Sequence, residues 1–214
     1  MTNTISGVIV TQEEIIDTSD FVEEPPMRIS FTIIDELYRS NIIKDTDIIT
    51  DLGAAAGDFL LYCKKYLKIN NVKGINYYNN RHTINKAMLD KYHINIDYCE
   101  ATLYNFKEDN STIYWIWIED PETEMKIIEL IKNNVKNKSR IIIAYETMQY
   151  ICQYCNHCKN IKNNISKKWI NYYYDISKLK ERIKINNVYY KNIYFNVGNT
   201  CRQSGLITLV LIDL

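Results

Sequence analysis

Glycine, alanine and proline are scarce in this chain: 6, 6 and 3 of 214 residues. So few glycines and prolines exclude a collagen-like or low-complexity chain. No stretch approaches the ~18 uncharged apolar residues of a membrane-spanning helix. The N-terminus MTNTISGVIV has no basic run and no long apolar core, so it does not read as a secretory leader. Charge of one sign is missing too, with 26 basic and 26 acidic residues. A basic footprint over the whole protein, as nucleic-acid binding favours, is therefore absent.

What is abundant points the other way. The chain has 35 Ile, 24 Asn and 18 Tyr. Ile, Asn, Lys and Tyr have AT-rich codons, whereas Ala, Gly, Pro and Arg have GC-rich ones. An AT-rich genome, such as that of a large DNA virus or an AT-biased protist, is the simplest source. Each Ile, Asn or Tyr then carries little information, and each Gly or Ala carries more. Three of the six Ala stand together at 54–56, between Gly53 and Gly57.

Apolar residues make up 46% and charged residues 24%, as in ordinary globular proteins. The length suits about one domain of ~100–200 residues. Neutrality is a cancellation. Residues 1–60 hold 12 acids and 3 bases, whereas residues 121–200 hold 14 bases and 6 acids. The first 26 residues hold six acids and no Lys or Arg, and end in Pro25-Pro26. Residues 1–28 are expected to be a mobile acidic arm, and 29–214 the folded domain. The basic region 121–200 reads as a solvated surface or as a docking face for a charged partner or partner subunit.

Six cysteines without a secretory leader suggest free thiols in a reducing, intracellular compartment, cytoplasmic or nuclear. Cys63, Cys99 and Cys201 lie among apolar residues and are expected in the core. Cys152, Cys155 and Cys158 surround His157 in CQYCNHC. Four ligands from so short a segment rarely close a tetrahedron, and no second Cys pair follows, so no metal is assigned.

Hydrophobic spacing predicts helices over 30–43, 57–67, 80–92, 121–135 and 166–184. Apolar, β-branched runs predict strands over 46–52, 72–76, 93–99, 111–120, 140–146, 188–197 and 204–214. Strand and helix alternate through residue 146, which implies a mostly parallel sheet with helices on both faces. The last two strands, joined by GNTCRQSG, should form an antiparallel pair. The fold class is α/β: a Rossmann-like seven-strand sheet finished by an antiparallel hairpin.

The segment ITDLGAAAGDF (49–59) runs from strand through a slim turn into helix. Open α/β sheets bind ligands at such carboxyl ends of strands. Glycine tolerates positive φ and close backbone approach. No Gly-Lys-Ser/Thr follows, so this is not a P-loop. The spacing also departs from G-x-G-x-x-G.

This D-L-G-x-x-x-G turn resembles motif I of the class I, seven-strand S-adenosylmethionine-dependent methyltransferases, and the likeness extends over about residues 30–214. The resemblance implies S-adenosylmethionine as cofactor. It implies that the loop with Gly53, Ala54, Ala55, Gly57 and Phe59 curves around the methionine part, and that Asp51 organises the site near its amino group. Asn76 and Tyr77 fall where the family's second strand usually ends in an acid that binds the ribose. Glu100 and Ala101, in YCEATLYNF, match the motif that meets the adenine. Glu119 and Asp120, in Glu119-Asp120-Pro121-Glu122, match motif IV, which faces the transferred methyl.

Motif IV here is Asp-Pro-Glu-Thr, so only its first half matches the base-amino methyltransferases. The strand RIIIAYE lacks the Lys that ribose methyltransferases with a similar DLGAA start require. The chain most resembles the seven-strand protein-lysine methyltransferases. That likeness implies a protein substrate rather than RNA, with Asp120 or Glu119 helping the amine lose its proton. Tyr145, Glu146, Tyr150 and Tyr154 are candidate acceptor-side residues. An RNA (cap, ribose or base) methyltransferase remains an alternative. So does a cofactor-free scaffold subunit on the same fold.

Overall fold

The computed structural model describes residues 9–11, 26–76, 86–116, 121–145, 184–185, 187–196 and 204–214. The apolar, β-branched runs form strands, and the helically spaced runs form helices between them. In chain order these are β1 (Ile9–Thr11), α1 (Pro26–Arg39), β2 (Ile48–Leu52), α2 (Asp58–Lys65), β3 (Asn71–Asn76) and α3 (Lys86–Lys91). Next come β4 (Asn95–Tyr98), a 3-10 turn (Ala101–Leu103), β5 (Ile113–Ile116) and α4 (Pro121–Asn134). Last are β6 (Arg140–Tyr145), β7 (Val188–Asn196) and β8 (Ser204–Asp213).

The sheet order is β1-β7-β8-β6-β5-β2-β3-β4. The pairs of β2 with β3 and β5, β3 with β4, and β5 with β6 are parallel. Strand β8 runs antiparallel to both β6 and β7, so the terminal pair is the antiparallel hairpin that the sequence implied.

Two differences from the sequence reading concern the N-terminal part. The sheet has eight described strands, not seven, because residues 9–11 of the acidic arm pair in parallel with Tyr194–Asn196 of β7. That part of the arm is therefore held by the sheet edge; its β-branched run GVIVT suits a strand. Helix α1 also begins at Pro26, inside the span assigned to the arm. Proline suits a first helical turn because its missing N–H has no partner there anyway.

Helices cover both faces, which is why the central strands are mostly apolar, with Thr50 and Asp51 of β2 as buried polar exceptions. On one face Ile33, Ile34 and Leu37 of α1, Phe59 to Cys63 of α2 and Leu89 of α3 pack on Ile49, Val72, Ile113, Trp115, Ile142, Leu209 and Leu211. On the other, Met125, Ile127, Ile128 and Ile131 of α4 pack on Leu52, Ile75, Tyr114, Ile116, Ile141, Ile143, Val210 and Ile212. Cys63 is a core residue, as expected, whereas Cys99 is only partly buried just past β4 and Cys201 lies outside the described residues. The buried Trp115 ring stacks on Phe59 with centroids 4.8 Å apart. Burial, reinforced by nearby Asp51, pushes the Cys63 thiol up, so it stays neutral. Arg140 closes the sheet end with a two-pronged bond to Asp213, its register partner across β6 and β8, and also donates to the Ile42 carbonyl.

Candidate functional site

From β2 the chain moves outward through β3 and β4, then returns to β5 on the other side of β2. The two halves diverge between β2 and β5. In open α/β sheets that switch point leaves a crevice outside the carboxyl ends of the strands. The turn Gly53–Gly57 lies at that end of β2 and leads into α2.

The turn is built from left-handed backbone. Gly53 has φ 115° and Gly57 φ 86°, as glycine allows, and Ala55 has φ 47°. A left-handed L-residue costs roughly 1–2 kcal/mol, so other contacts must hold Ala55 there. The Gly53 and Ala54 amides both donate to the Ile75 carbonyl at the end of β3, at 2.9 and 3.1 Å. The Gly57 amide donates back to the Ala54 carbonyl at 2.7 Å. Gly57 caps α2 and, as glycine, contributes no side-chain bond to the helix amides.

The residues expected around this turn are sorted by burial. Gly53 is exposed at the sheet edge and Ala55 half-buried. Ala54 and Phe59 point into the core, at 2% and 3% exposure. Phe59 spends its ring on Trp115, so what it can offer a ligand is backbone. Asp51 is also buried, and its charge is felt at Cys63 of α2. Glu100 is exposed just beyond β4, where it starts the 3-10 turn that carries half-buried Ala101. Tyr77, Glu119 and Asp120 lie outside the described residues, as do Glu146, Tyr150, Tyr154 and the segment with Cys152, Cys155, His157 and Cys158. The side chain of Tyr145 does too. Among the described residues no group of His, Cys, Asp or Glu could hold a metal ion.

Two residues do work that sequence reasoning did not assign. Asn76, 5% exposed, donates its amide Nδ2–H to the Ala55 carbonyl at 2.9 Å. Gly74, mid-strand in β3, is where the turn and α2 press closest. A Cβ there would meet Ala54 Cβ at 2.6 Å and Leu60 Cδ1 at 2.8 Å. A glycine inside a strand pattern often marks such an approach, and that signal was present in VKGIN.

A nucleoside-sulfonium cofactor fits this edge at the turn, which is slim and exposed at Gly53, and at Glu100, an exposed acid just beyond β4 that already accepts from the Thr102 hydroxyl at 3.4 Å. At position 76 the fit differs. The side chain is a neutral amide already bonded to protein, not a free carboxylate.

No family model matches the chain, and no curated protein matches it by sequence. Solved structures match it by fold. Precorrin-6y C5,15-methyltransferase from Geobacter metallireducens superposes with a TM-score of 0.58 at 10% identity, over 93% of this chain and 96% of that one. The methyltransferase domain of a bacterial CtHen1 gives 0.54 at 12%, over 88% and 99%. The N-methyltransferase NodS from Bradyrhizobium japonicum gives 0.51 at 10%, over 90% and 98%. The chain has the Rossmann-like fold of the class I S-adenosylmethionine-dependent methyltransferases, at identities that carry the fold and not the substrate.

Proposed function

We propose that the chain is an S-adenosylmethionine-dependent methyltransferase and that its acceptor is a lysine side chain on a protein. The observation that carries the first half is the left-handed turn Gly53–Gly57 at the carboxyl end of β2, beside the switch point. The second half rests on the sequence likeness to the protein-lysine group. When bound, the sulfonium supplies a methyl already activated for displacement. The protein's task is then mainly proximity and orientation. Gly53 and Ala55 would bend the chain around the ligand, and Glu100 would meet its nucleoside end. A lysine amine must be neutral to attack, and Asp120 or Glu119, between β5 and α4, would take its proton.

A thermal-shift assay with S-adenosylmethionine and with S-adenosylhomocysteine tests the cofactor. At a hundredfold excess over Kd the gain is about 2.7 kcal/mol, or about 5–10 °C for a domain of this size. Gly53→Val, which forces a β-branched residue toward φ 115°, should abolish that shift, and Asp51→Ala should do the same. No shift with either ligand in the unaltered protein would overturn the reading. Transfer of a labelled methyl to a lysine-rich protein, and not to RNA, would test the acceptor.

A second reading has one observation in its favour. Asn76 spends its amide on the turn, so a cofactor-free scaffold on this fold is the alternative, and the same assay separates the two.

A further inference from the structure

We propose that Asn76 is a positioning residue for the Gly53–Gly57 turn: its amide holds the turn in the shape a ligand meets, and it is not a reader of ligand hydroxyls. This rests on the turn being the ligand site, as argued above.

Asn76 closes β3 and is 5% exposed. Its Nδ2–H donates to the Ala55 carbonyl at 2.9 Å. Its main-chain carbonyl accepts from the Cys99 main-chain amide just past β4, at 3.1 Å. One residue thus ties the turn after β2 to the ends of β3 and β4.

The turn needs such a tie. Ala55 sits at φ 47°, a conformation an L-residue leaves readily when nothing holds it. Main-chain bonds of the turn run from Gly53 and Ala54 to Ile75, and from Gly57 to Ala54. They fix its two ends. The Asn76 bond fixes the carbonyl in the middle, at the strained residue.

The chemistry requires a donor at position 76. An ionised carboxylate of the same shape only accepts hydrogen bonds. It would face the Ala55 carbonyl oxygen across a buried contact, two acceptors with no proton between them. The isosteric Asn76→Asp therefore separates two roles. If position 76 read ribose hydroxyls, adding the charge would strengthen binding. If it holds the turn, the same change weakens binding.

The test compares the unaltered protein with N76D and N76A. Calorimetric titration with S-adenosylhomocysteine reads affinity. Amide hydrogen exchange of residues 53–58, without ligand, reads the turn. The expected order of affinity is Asn, then Ala, then Asp, with N76D weaker by about tenfold or more, the scale of one lost bond to a buried group. Exchange across 53–58 should quicken in both variants, and more in N76D. The order Asp, then Asn, then Ala would overturn the proposal, and so would exchange in the turn that neither variant changes. If N76D fails to fold, N76A alone decides: unchanged affinity and unchanged exchange refute the tie. If the unaltered protein binds no S-adenosylhomocysteine, the methyltransferase reading fails, while exchange in the ligand-free variants still decides the role of Asn76.

Discussion

A carboxylate with no exposed side-chain surface is costly unless donors surround it. Asp109 is such a group. Its Oδ1 accepts the Ser111 amide at 2.7 Å, and its Oδ2 stands 3.0 Å from Lys73 Nζ. Burial alone would raise its pKa, but bonds from Ser111, Tyr104 and Lys73 outweigh that and hold the carboxyl below its ordinary value. Folded, it therefore binds fewer protons than unfolded near its ordinary titration range. Its stabilisation is full above about pH 4–5 and is lost as pH falls through the lower folded value. Asp109→Asn should lower stability at neutral pH by about 2–3 kcal/mol, less than a wholly buried pair would cost because Lys73 is partly exposed. Urea melts at neutral pH and near pH 3 would show the difference from the unaltered protein shrinking in acid. Nothing in KEDNST announced this network. The partners of Asp109 include Lys73 and Tyr104, which come from elsewhere in the chain. Asn76 was illegible for the same reason. The sequence names the residue at a strand end but not which carbonyl its amide will reach. Cys63 was legible as a core residue because it needed only an apolar surrounding, whereas Cys99 stands just past the end of β4 and is only partly covered.

At the scale of elements, the scarcity of glycine leaves a mark on helix ends. Helix α1 closes with the Asn41 amide bonded to the Tyr38 carbonyl and the Ile42 amide to the Leu37 carbonyl, and Asn41 sits at φ 56°. Helix α3 closes in the same pattern, His93 to Asp90 and Ile94 to Leu89, with His93 at φ 53°. Glycine is the usual residue at such a position. Histidine there carries roughly 1–2 kcal/mol of left-handed strain, against which glycine would cost somewhat more chain entropy. His93→Gly is therefore expected to stabilise by about 0.5–1 kcal/mol. Asn41→Gly should change little, because Asn tolerates this conformation. Thermal melts of the two variants check both. These closures also explain the boundary error at α1. The apolar pattern runs on through Ile42 and Ile43, so the sequence suggested a helix to residue 43. The helix stops at Arg39, and Ile43 is buried as part of the turn back into the core. Strands β2 to β8 fell within a few residues of expectation wherever they are described. A two-residue period on a doubly covered sheet leaves a continuous apolar run that ends where the chain leaves the core.

For the whole molecule, alternation gave the parallel sheet, and the terminal pair gave the one reversed strand. The order of strands was not legible, because spacing along a chain says nothing about which neighbour a strand chooses. The eighth strand was not legible at all: three residues in an acidic, proline-ended segment fall below any periodic signal, and their pairing depends on β7 being the sheet edge. That placement makes a prediction about the site. In the order β1-β7-β8-β6-β5-β2-β3-β4, β1 is five strand spacings from β2, about 24 Å at ~4.8 Å per spacing. The Gly53–Gly57 turn, its ties to Ile75 and Asn76, and Glu100 all belong to β2, β3 and β4. A chain that starts at residue 12 loses the edge pairing of Ile9–Thr11 with β7 but none of these contacts. It should melt a few degrees lower, by about 1–2 kcal/mol for one short edge pairing. It should bind S-adenosylhomocysteine with unchanged affinity. If affinity falls while the melt barely moves, the N-terminal residues reach the ligand site directly, and the view of β1 as an edge strand remote from that site is wrong.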